Sequence, residues 1–223
     1  QWAVSPEDHV IRVITEVNEP LSRAGYDAMN LERFRINDPG TAKNAAYNYH
    51  KQMVGSGSAW STSDGQQMLW DAERTPVTMI AYAPFMSEAT PDASLTVNAL
   101  TNQSTEENVK SSDFLLMKAT VDPEQDLTAD GKLKISLNHA MSKLIIKITV
   151  NGTTDASMSK LGDMAINGAV VNATCDLSAA APVVVPAADA VVATVAPYKG
   201  TESCECILPP QKIAEGFSVN FSY

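Results

Sequence analysis

Residues 132–150 read KLKISLNHAMSKLIIKITV and alternate apolar and polar residues more regularly than any other part of the chain. As a single strand this stretch would span roughly 60 Å at about 3.3 Å per residue, although strands seldom exceed about 10 residues. The apolar positions also change phase. They are odd-numbered up to Leu137 and even-numbered from Leu144 onward. Because a one-residue slip turns every side chain to the other face, the sequence predicts two strands, 132–138 and 143–150, joined at 139–142.

The phase of each half also predicts which side chains are buried. In the second strand the core-facing residues are expected to be Leu144, Ile146, Ile148 and Val150. Lys143 and Lys147 are expected to point into solvent. His139 continues the odd apolar series, so a structural role is predicted for this histidine.

Short strand-like segments bounded by turn residues recur along the rest of the chain. They are residues 10–17, 31–36, 77–85, 114–121, 164–175, 190–195, 204–208 and 217–223. Segments 41–67 and 86–112 are interpreted as long loops, the first with one helical turn near Ala45–Lys51. Strands at this spacing without interleaved amphipathic helices predict an all-β fold of antiparallel β-sandwiches.

Charge and motifs narrow the classes of function. The chain has 16 Lys and Arg against 26 Asp and Glu, a formal net charge of −10. This acidic balance argues against a nucleic-acid partner or an anionic membrane surface. No nucleotide-binding or nucleophile motif is present, and the three histidines lack metal-ligand spacing. The sequence therefore predicts no catalytic residue, metal or cofactor, although dispersed carboxylates of a glycoside hydrolase stay open.

Two smaller features have more than one interpretation. Asp126 and Asp130 resemble oxygen ligands for Ca²⁺, but a turn between strands is the favoured interpretation. Cys175 could form a disulfide with Cys204 or Cys206, or all three could be small buried side chains, which is favoured.

Five motifs in order resemble the fimbrillin family of Bacteroidetes, secreted pilus lipoproteins also called fimbrillin-like or Mfa-like proteins. They are VTMIAYAPF (77–85), DFLLMKATV (113–121), LKISLNHAMSKLIIKITV (133–150), ILPPQKI (207–213) and FSVNFSY (217–223). The resemblance implies two consecutive transthyretin-like β-sandwich domains, residues 1–138 and 139–223. Their junction would lie at 139–142, with His139 and Met141. The resemblance also implies a lipidated cysteine before Gln1. Family members usually have further strands after the one that resembles FSVNFSY, so the second domain is expected to be either incomplete in this chain or shorter than usual.

The resemblance implies a structural subunit or tip adhesin of a surface pilus, exported to the outer membrane and assembled by β-strand addition with other pilin subunits. The candidate strand-acceptor edge has an apolar face formed by Phe217, Val219 and Phe221. An edge capped by the Ala/Val/Pro-rich segment 179–197 is the competing interpretation. Host proteins or glycans are further candidate partners, and a membrane would be contacted only through the lipid anchor.

The alternative function is a glycan-binding surface lipoprotein. Its stacking platform would be formed by Trp60, Trp70, Tyr47 and Tyr49. For these aromatic residues, anchoring in a core or loop is the favoured interpretation.

Overall fold

The computed structural model describes residues 9–18, 28–33, 49–56, 59–71, 73–86, 94–149, 158–213 and 215–223. This part of the chain is all-β, with one short α-helix, α1 (Glu106–Ser111), and a 3-10 turn at Met158–Lys160. The strands are β1 (Val13–Asn18), β2 (Ala28–Arg33), β3 (Tyr49–Ser56), β4 (Ala59–Thr62), β5 (Val77–Ala83), β6 (Ser94–Asn98), β7 (Leu115–Val121), β8 (Leu133–His139), β9 (Ser142–Ile146), β10 (Met164–Val170), β11 (Asn172–Asp176), β12 (Val184–Pro186), β13 (Val192–Val195), β14 (Tyr198–Lys199), β15 (Cys204–Leu208) and β16 (Ser218–Phe221).

The chain forms two compact units, each built from discontinuous segments. Unit 1 consists of 1–95, 115–139 and 176–182, and unit 2 of 96–114, 140–175 and 183–223. This grouping differs from consecutive segments 1–138 and 139–223, because 96–114 belongs to unit 2. There, Gln103 bonds to Ile207 of β15. The division into two transthyretin-like sandwich domains stays a prediction.

Unit 1 contains one seven-stranded sheet in the order β1-β8-β7-β5-β2-β3-β4. Strand β5, VTMIAYA, pairs with β7 on one side and β2 on the other, and every residue in it except Thr78 is buried. Trp70, Met79 and Ile135 are among the largest side chains of the core beneath this sheet. The β-branched and aromatic content of β5 suits such a buried central position.

One strand pair of this sheet departs from the antiparallel prediction. β1 runs parallel to β8, in register from Val13 opposite Leu133 to Asn18 opposite Asn138. The prediction of a purely antiparallel fold is therefore wrong for this pair. The partners lie 120 residues apart, so no local turn signal fixes their relative direction.

Unit 2 contains three small sheets, in the orders β13-β10-β16, β12-β11-β6 and β14-β15-β9. Helix α1 begins after Thr105, whose hydroxyl accepts a hydrogen bond from Asn108 N at 3.2 Å, the usual N-cap arrangement. A small apolar cluster contains Leu161, Met164 and Cys204, with Ile146, Ile148 and Val219 among the half-buried side chains packed against it.

The predicted phase change at 139–142 is confirmed. β8 and β9 are separate strands that belong to different sheets. Leu133, Ile135 and Leu137 are buried, as their odd phase predicts. The even series of β9 is only half-buried at Leu144 and Ile146, and Val150 lies outside the described residues. Lys147 is exposed, but Lys143 forms an ion pair with Glu205 and is not fully solvated.

Two stretches interpreted as loops contain regular structure. β3 and β4 form an antiparallel hairpin within 41–67, so a helical turn reaching Lys51 is wrong for 49–51. Residues 45–48 of that prediction lie outside the described part. Within 86–112 the structure has β6 and α1.

Candidate strand-acceptor edge

Strand β16 is an edge strand of its sheet. It pairs antiparallel with β10, from Met164 opposite Phe221 to Asn167 opposite Ser218. Beyond the strand, Gly162 N donates to Ser222 O at 2.8 Å and extends the contact. In the part of the chain that the structure describes, no strand pairs with β16 on its other side. An edge of this kind presents backbone N–H and C=O groups that another strand can pair with.

The ladder between β10 and β16 stops at a β-bulge. The register of β10 against β13 shifts between Asn167 and Ala169, and Gly168 between them has φ +77°. A Cβ on Gly168 would lie 2.9 Å from Gly216 O. Glycine is therefore required here both for the left-handed backbone and for the close approach of the backbone at Gly216.

Past the bulge, Gln211 takes the place of a strand. Its Oε1 accepts from Val170 N and its Nε2 donates to Val170 O, both at 2.8 Å. One side-chain amide thus satisfies the backbone donor and acceptor of a residue that β16 does not reach. This gives Gln211, which belongs to the ILPPQKI motif, a physical role in closing the edge of β10.

Gln103 does the same for β15. It is 0% exposed, its Oε1 accepts from Ile207 N and its Nε2 donates to Ile207 O, both at 2.8 Å. Its Nε2 also donates to Leu100 O at 2.9 Å. No motif in the sequence singles out Gln103, because a glutamine in a polar segment usually lies in solvent. We call Gln103 and Gln211 the amide seals.

The three side chains predicted for the acceptor edge differ in exposure. Val219 packs against the small cluster of unit 2, Phe217 is half-buried and Phe221 is 48% exposed. The apolar face of β16 is therefore partly covered by its own unit and partly in solvent. Acceptance of a strand at this edge stays a prediction.

The described structure does not support capping of β16 by segment 179–197. β13, within that segment, pairs with β10 on the side opposite to β16. β12, the other strand of the segment, pairs with β11 in a different sheet. Four valines of segment 179–197 are among the most exposed large apolar side chains of the described residues: Val183, Val185, Val191 and Val192.

The predicted aromatic platform is wrong for Trp70, which is 1% exposed in the core of unit 1. Trp60 and Tyr49 are half-buried and pack against the same core. Trp60 Nε1 donates to Thr15 Oγ1 at 2.8 Å, and the Tyr49 hydroxyl accepts from Leu69 N at 2.9 Å. Core anchoring, the favoured interpretation, describes these three residues. Tyr47 lies outside the described residues.

His139 and Met141 flank the point where the chain passes from unit 1 to unit 2, between residues 139 and 140. His139 is half-buried at the end of β8, opposite Leu115 of β7, and Met141 is 7% exposed. Ala140 N between them donates to Phe114 O at 2.8 Å. The role of the pair at a domain junction stays a prediction.

The titratable groups occupy structural positions. Asp126 Oδ2 accepts from Asp122 N at 2.7 Å in the turn before β8. Asp130 pairs with Lys132 at 2.8 Å, and hydrogen bonds from Lys132 and Thr128 lower the pKa of Asp130 to about 2. Among the described residues no group of three or more His, Cys, Asp or Glu side chains could hold a metal ion.

The three cysteines are all among the described residues, are buried and form no disulfide. Cys204 and Cys206 lie opposite Ile146 and Leu144 of β9. Burial raises the pKa of the Cys206 thiol to about 12, and burial also raises that of Cys204. Both groups are therefore protonated at neutral pH and behave as small apolar side chains.

No helix among the described residues is long and apolar enough to cross a membrane.

The fold is shared with solved structures of cell adhesion and fimbrial proteins from Bacteroides. A protein from Bacteroides uniformis ATCC 8492 assigned to cell adhesion has a TM-score of 0.69 at 16% identity, with 97% of this chain and 80% of that chain covered. A second protein assigned to cell adhesion, from Bacteroides ovatus ATCC 8483, has a TM-score of 0.68 at 17% identity, with 95% of this chain and 82% of that chain covered. A fimbrial protein from the same B. ovatus strain has a TM-score of 0.56 at 16% identity, over 96% of this chain and 44% of that one.

The family follows from the sequence. The fimbrillin-like family matches residues 27–222, and the chain belongs to it. No protein with a curated description matches the chain.

Proposed function

We propose that this protein is a structural subunit or tip adhesin of a bacterial surface pilus, exported to the outer surface and joined to other subunits by β-strand addition. Membership of the fimbrillin-like family supports a pilus or adhesin role, and so does the fold shared with adhesion and fimbrial structures. A structural role of this kind needs no catalytic residues.

The observation that carries the assembly proposal is the edge strand β16. A strand added beside β16 would extend a sheet whose other edge is β13. The half-exposed Phe221 offers apolar contact to the incoming strand, while its backbone supplies the ladder. Because donor and acceptor surfaces would differ, the contact would be head-to-tail and would propagate as a filament.

The amide seals support this choice of edge. Gln103 bonds to the backbone of Ile207 in β15, and Gln211 bonds to the backbone of Val170 in β10. Both of these positions therefore lack the exposed hydrogen-bonding groups that strand addition requires. The outer side of β16 has no such seal in the described part of the chain.

The test is strand uptake by the purified chain. The added peptides copy its own segments 9–18 and 215–223, which contain β1 and β16, or strands of other fimbrillin-like subunits. Complex formation is measured by size-exclusion chromatography and by the melting temperature of the chain. Acceptance predicts a slow, nearly irreversible complex with a large rise in melting temperature, because a full ladder forms. No uptake of any peptide would argue against assembly at an open edge.

A matched pair of variants locates the acceptor. Phe221→Lys places a charge on β16, and Val192→Lys places the same charge on β13, the opposite edge of the same sheet. Both native side chains are about half exposed or more, at 48% and 64%. Uptake should be lost in Phe221→Lys and kept in Val192→Lys, and the reverse result would assign the acceptor to β13.

A further inference from the structure

We infer that unit 2 carries a binding site for a neutral carbohydrate in a polar groove on the sheet β12-β11-β6. The polar groove is lined by Thr96, Asn98, Asn172, Thr174, Ala187 and Asp189. Its volume is about 360 Å³. That value falls within the range of roughly 300–1,000 Å³ typical of small-molecule sites. The site is separate from β16 and goes beyond the role in assembly.

The groove follows from strand alternation. Along β6, Leu95 and Val97 are buried while Thr96 is exposed. Along β11, Ala173 and Cys175 are buried while Thr174 is half-buried. Residues at alternate positions point to one face. Two neighbouring strands therefore present a block of short amide and hydroxyl side chains to the same side.

The turn after β12 forms the wall of the groove. Ala187 N donates to Asn172 O at 3.0 Å, which fastens the turn to β11. Ala190 N donates to Ala187 O at 3.0 Å and closes the turn. Asp189 is thereby held at the rim, and the small side chain of Ala187 leaves the space open. The wall is consequently preformed.

The polar groups of the groove are not used by the fold. Within the described part of the chain the side chains of Thr96, Asn172, Thr174 and Asp189 make no hydrogen bond or ion pair. Asn98 Oδ1 accepts from Ala173 N at 3.4 Å, which leaves its amide nitrogen as a donor. These groups are available to a ligand that replaces their water.

The same residue types elsewhere in unit 2 bond to each other. Thr194 Oγ1 donates to Asn167 Oδ1 at 2.8 Å, and Ser104 Oγ donates to Asn102 Oδ1 at 2.8 Å. The amides and hydroxyls of the polar groove differ from these two pairs in being available to a ligand.

The lining selects the class of ligand. Amides and hydroxyls both donate and accept, and a carboxylate accepts from two neighbouring hydroxyls, which suits the vicinal diols of a sugar. None of the described residues lining the groove is cationic, so an anionic sugar has no counter-charge and meets Asp189. None is aromatic, so stacking is absent and a single site binds weakly. Multivalent display on a polymer would raise the avidity.

The test uses the full chain in two forms. Multiple copies displayed on beads are applied to a glycan array, and a ¹⁵N-labelled monomer is titrated with maltose, lactose and 3′-sialyllactose at millimolar concentration. Neutral sugars should shift the side-chain amide resonances of Asn98 and Asn172. The sialylated probe should bind more weakly than its neutral parent. No shift with any neutral sugar, together with an empty array, would overturn the inference.

Variants separate the groove from other surfaces. Asn172→Ala should weaken binding about tenfold, the usual effect of losing one or two hydrogen bonds. Ala187→Leu should block it by filling the groove. Thr194→Ala, outside the groove in the same unit, should bind sugar as the wild type does. An unchanged melting temperature in each variant shows that it is folded. Sugar binding that survives both groove variants would place the site elsewhere and refute the assignment.

Sugar binding and strand uptake can be measured independently in the same variants. Phe221→Lys should keep sugar binding while losing strand uptake, and Asn172→Ala should do the opposite. Loss of both functions in either variant would contradict the separation of the polar groove from the edge strand.

Discussion

Strands β8 and β9 come from one continuous alternating stretch, yet they are buried to different extents. Ile135 in β8 is 0% exposed, whereas Ile146 in β9 is half-buried and Ile145 beside it is 43% exposed. β8 lies between β1 and β7 over the large core of unit 1. Among the described residues, β9 is an edge strand that pairs with β15 alone, in a unit whose sheets are small. Alternation thus fixes which face is apolar, while the number of neighbouring strands and the size of the core decide how deeply that face is buried.

The largest effect is expected in β8. Ile135→Ala should lower the free energy of unfolding by about 2–5 kcal/mol, because a fully buried side chain leaves a cavity. Urea denaturation measures it. A cost no greater than that of the matching substitution in β9 would show that the two strands are equivalent after all.

In β9 the same change should cost less. Ile146→Ala is expected to lower the unfolding free energy by about 1–2 kcal/mol, since the side chain packs on a small cluster and is only half-buried. The same urea experiment provides the comparison. A value above that of Ile135→Ala would mean that unit 2 has a tighter core at this point than the structure describes.

The two lysines of the second half provide a finer comparison. Lys143→Ala should cost about 0.5–1 kcal/mol, because this half-buried side chain pairs with Glu205 across β9 and β15. Lys147→Ala should change stability by less than about 0.5 kcal/mol, since Lys147 is exposed. Raising the salt concentration should reduce the cost of Lys143→Ala. Equal effects would indicate that the ion pair contributes nothing.

The smallest effect is a loss of stability at low pH, caused by Asp130 in the turn before β8. The pKa of Asp130 falls from 3.8 to about 2 in the folded chain, chiefly through its hydrogen bond with Lys132. A lowered folded pKa stabilises the fold above the unfolded pKa, and this contribution is lost as the pH falls from about 3.8 toward 2. Carboxyl ¹³C NMR should show the low pKa in the wild type and a rise in Lys132→Met. An unchanged titration in that variant would exclude Lys132 as the cause.

The alternation in 132–150 could be interpreted from the sequence because period-two burial is a local property of the chain. Strand β3, YHKQMVGS, could not, because it has few β-branched residues and is held by pairing with β2 and β4. The parallel pairing of β1 with β8 depends on segments far apart in sequence. Helix α1 is short and lies in a segment with few apolar residues, where a helical periodicity cannot be recognised.

The candidate sites show the same limit. The apolar alternation of Phe217, Val219 and Phe221 is visible in the sequence, and family motifs pointed to the turn that holds Gln211. A surface platform stayed open as the alternative for Trp70 because aromatic content alone does not reveal burial, and the residue lies in the core, as the favoured interpretation had it. The polar groove combines residues 96–98 with residues 172–189, and no local pattern connects them. Gln103 was missed for the same reason, since its partner Ile207 lies 104 residues away.

The amide seals also differ in when they become available during synthesis. A ribosome makes the chain from the N-terminus, so Gln103 emerges 104 residues before the Ile207 backbone that it closes. Gln211 emerges 41 residues after Val170. During that interval the end of β10 has no amide to cover it, and a nascent chain can pair there with a strand that does not belong. The end of this edge is therefore open to mispairing until Gln211 has been made, and the part that β16 covers stays open until residues 218–221 follow. A chaperone that holds the growing chain would act in that period.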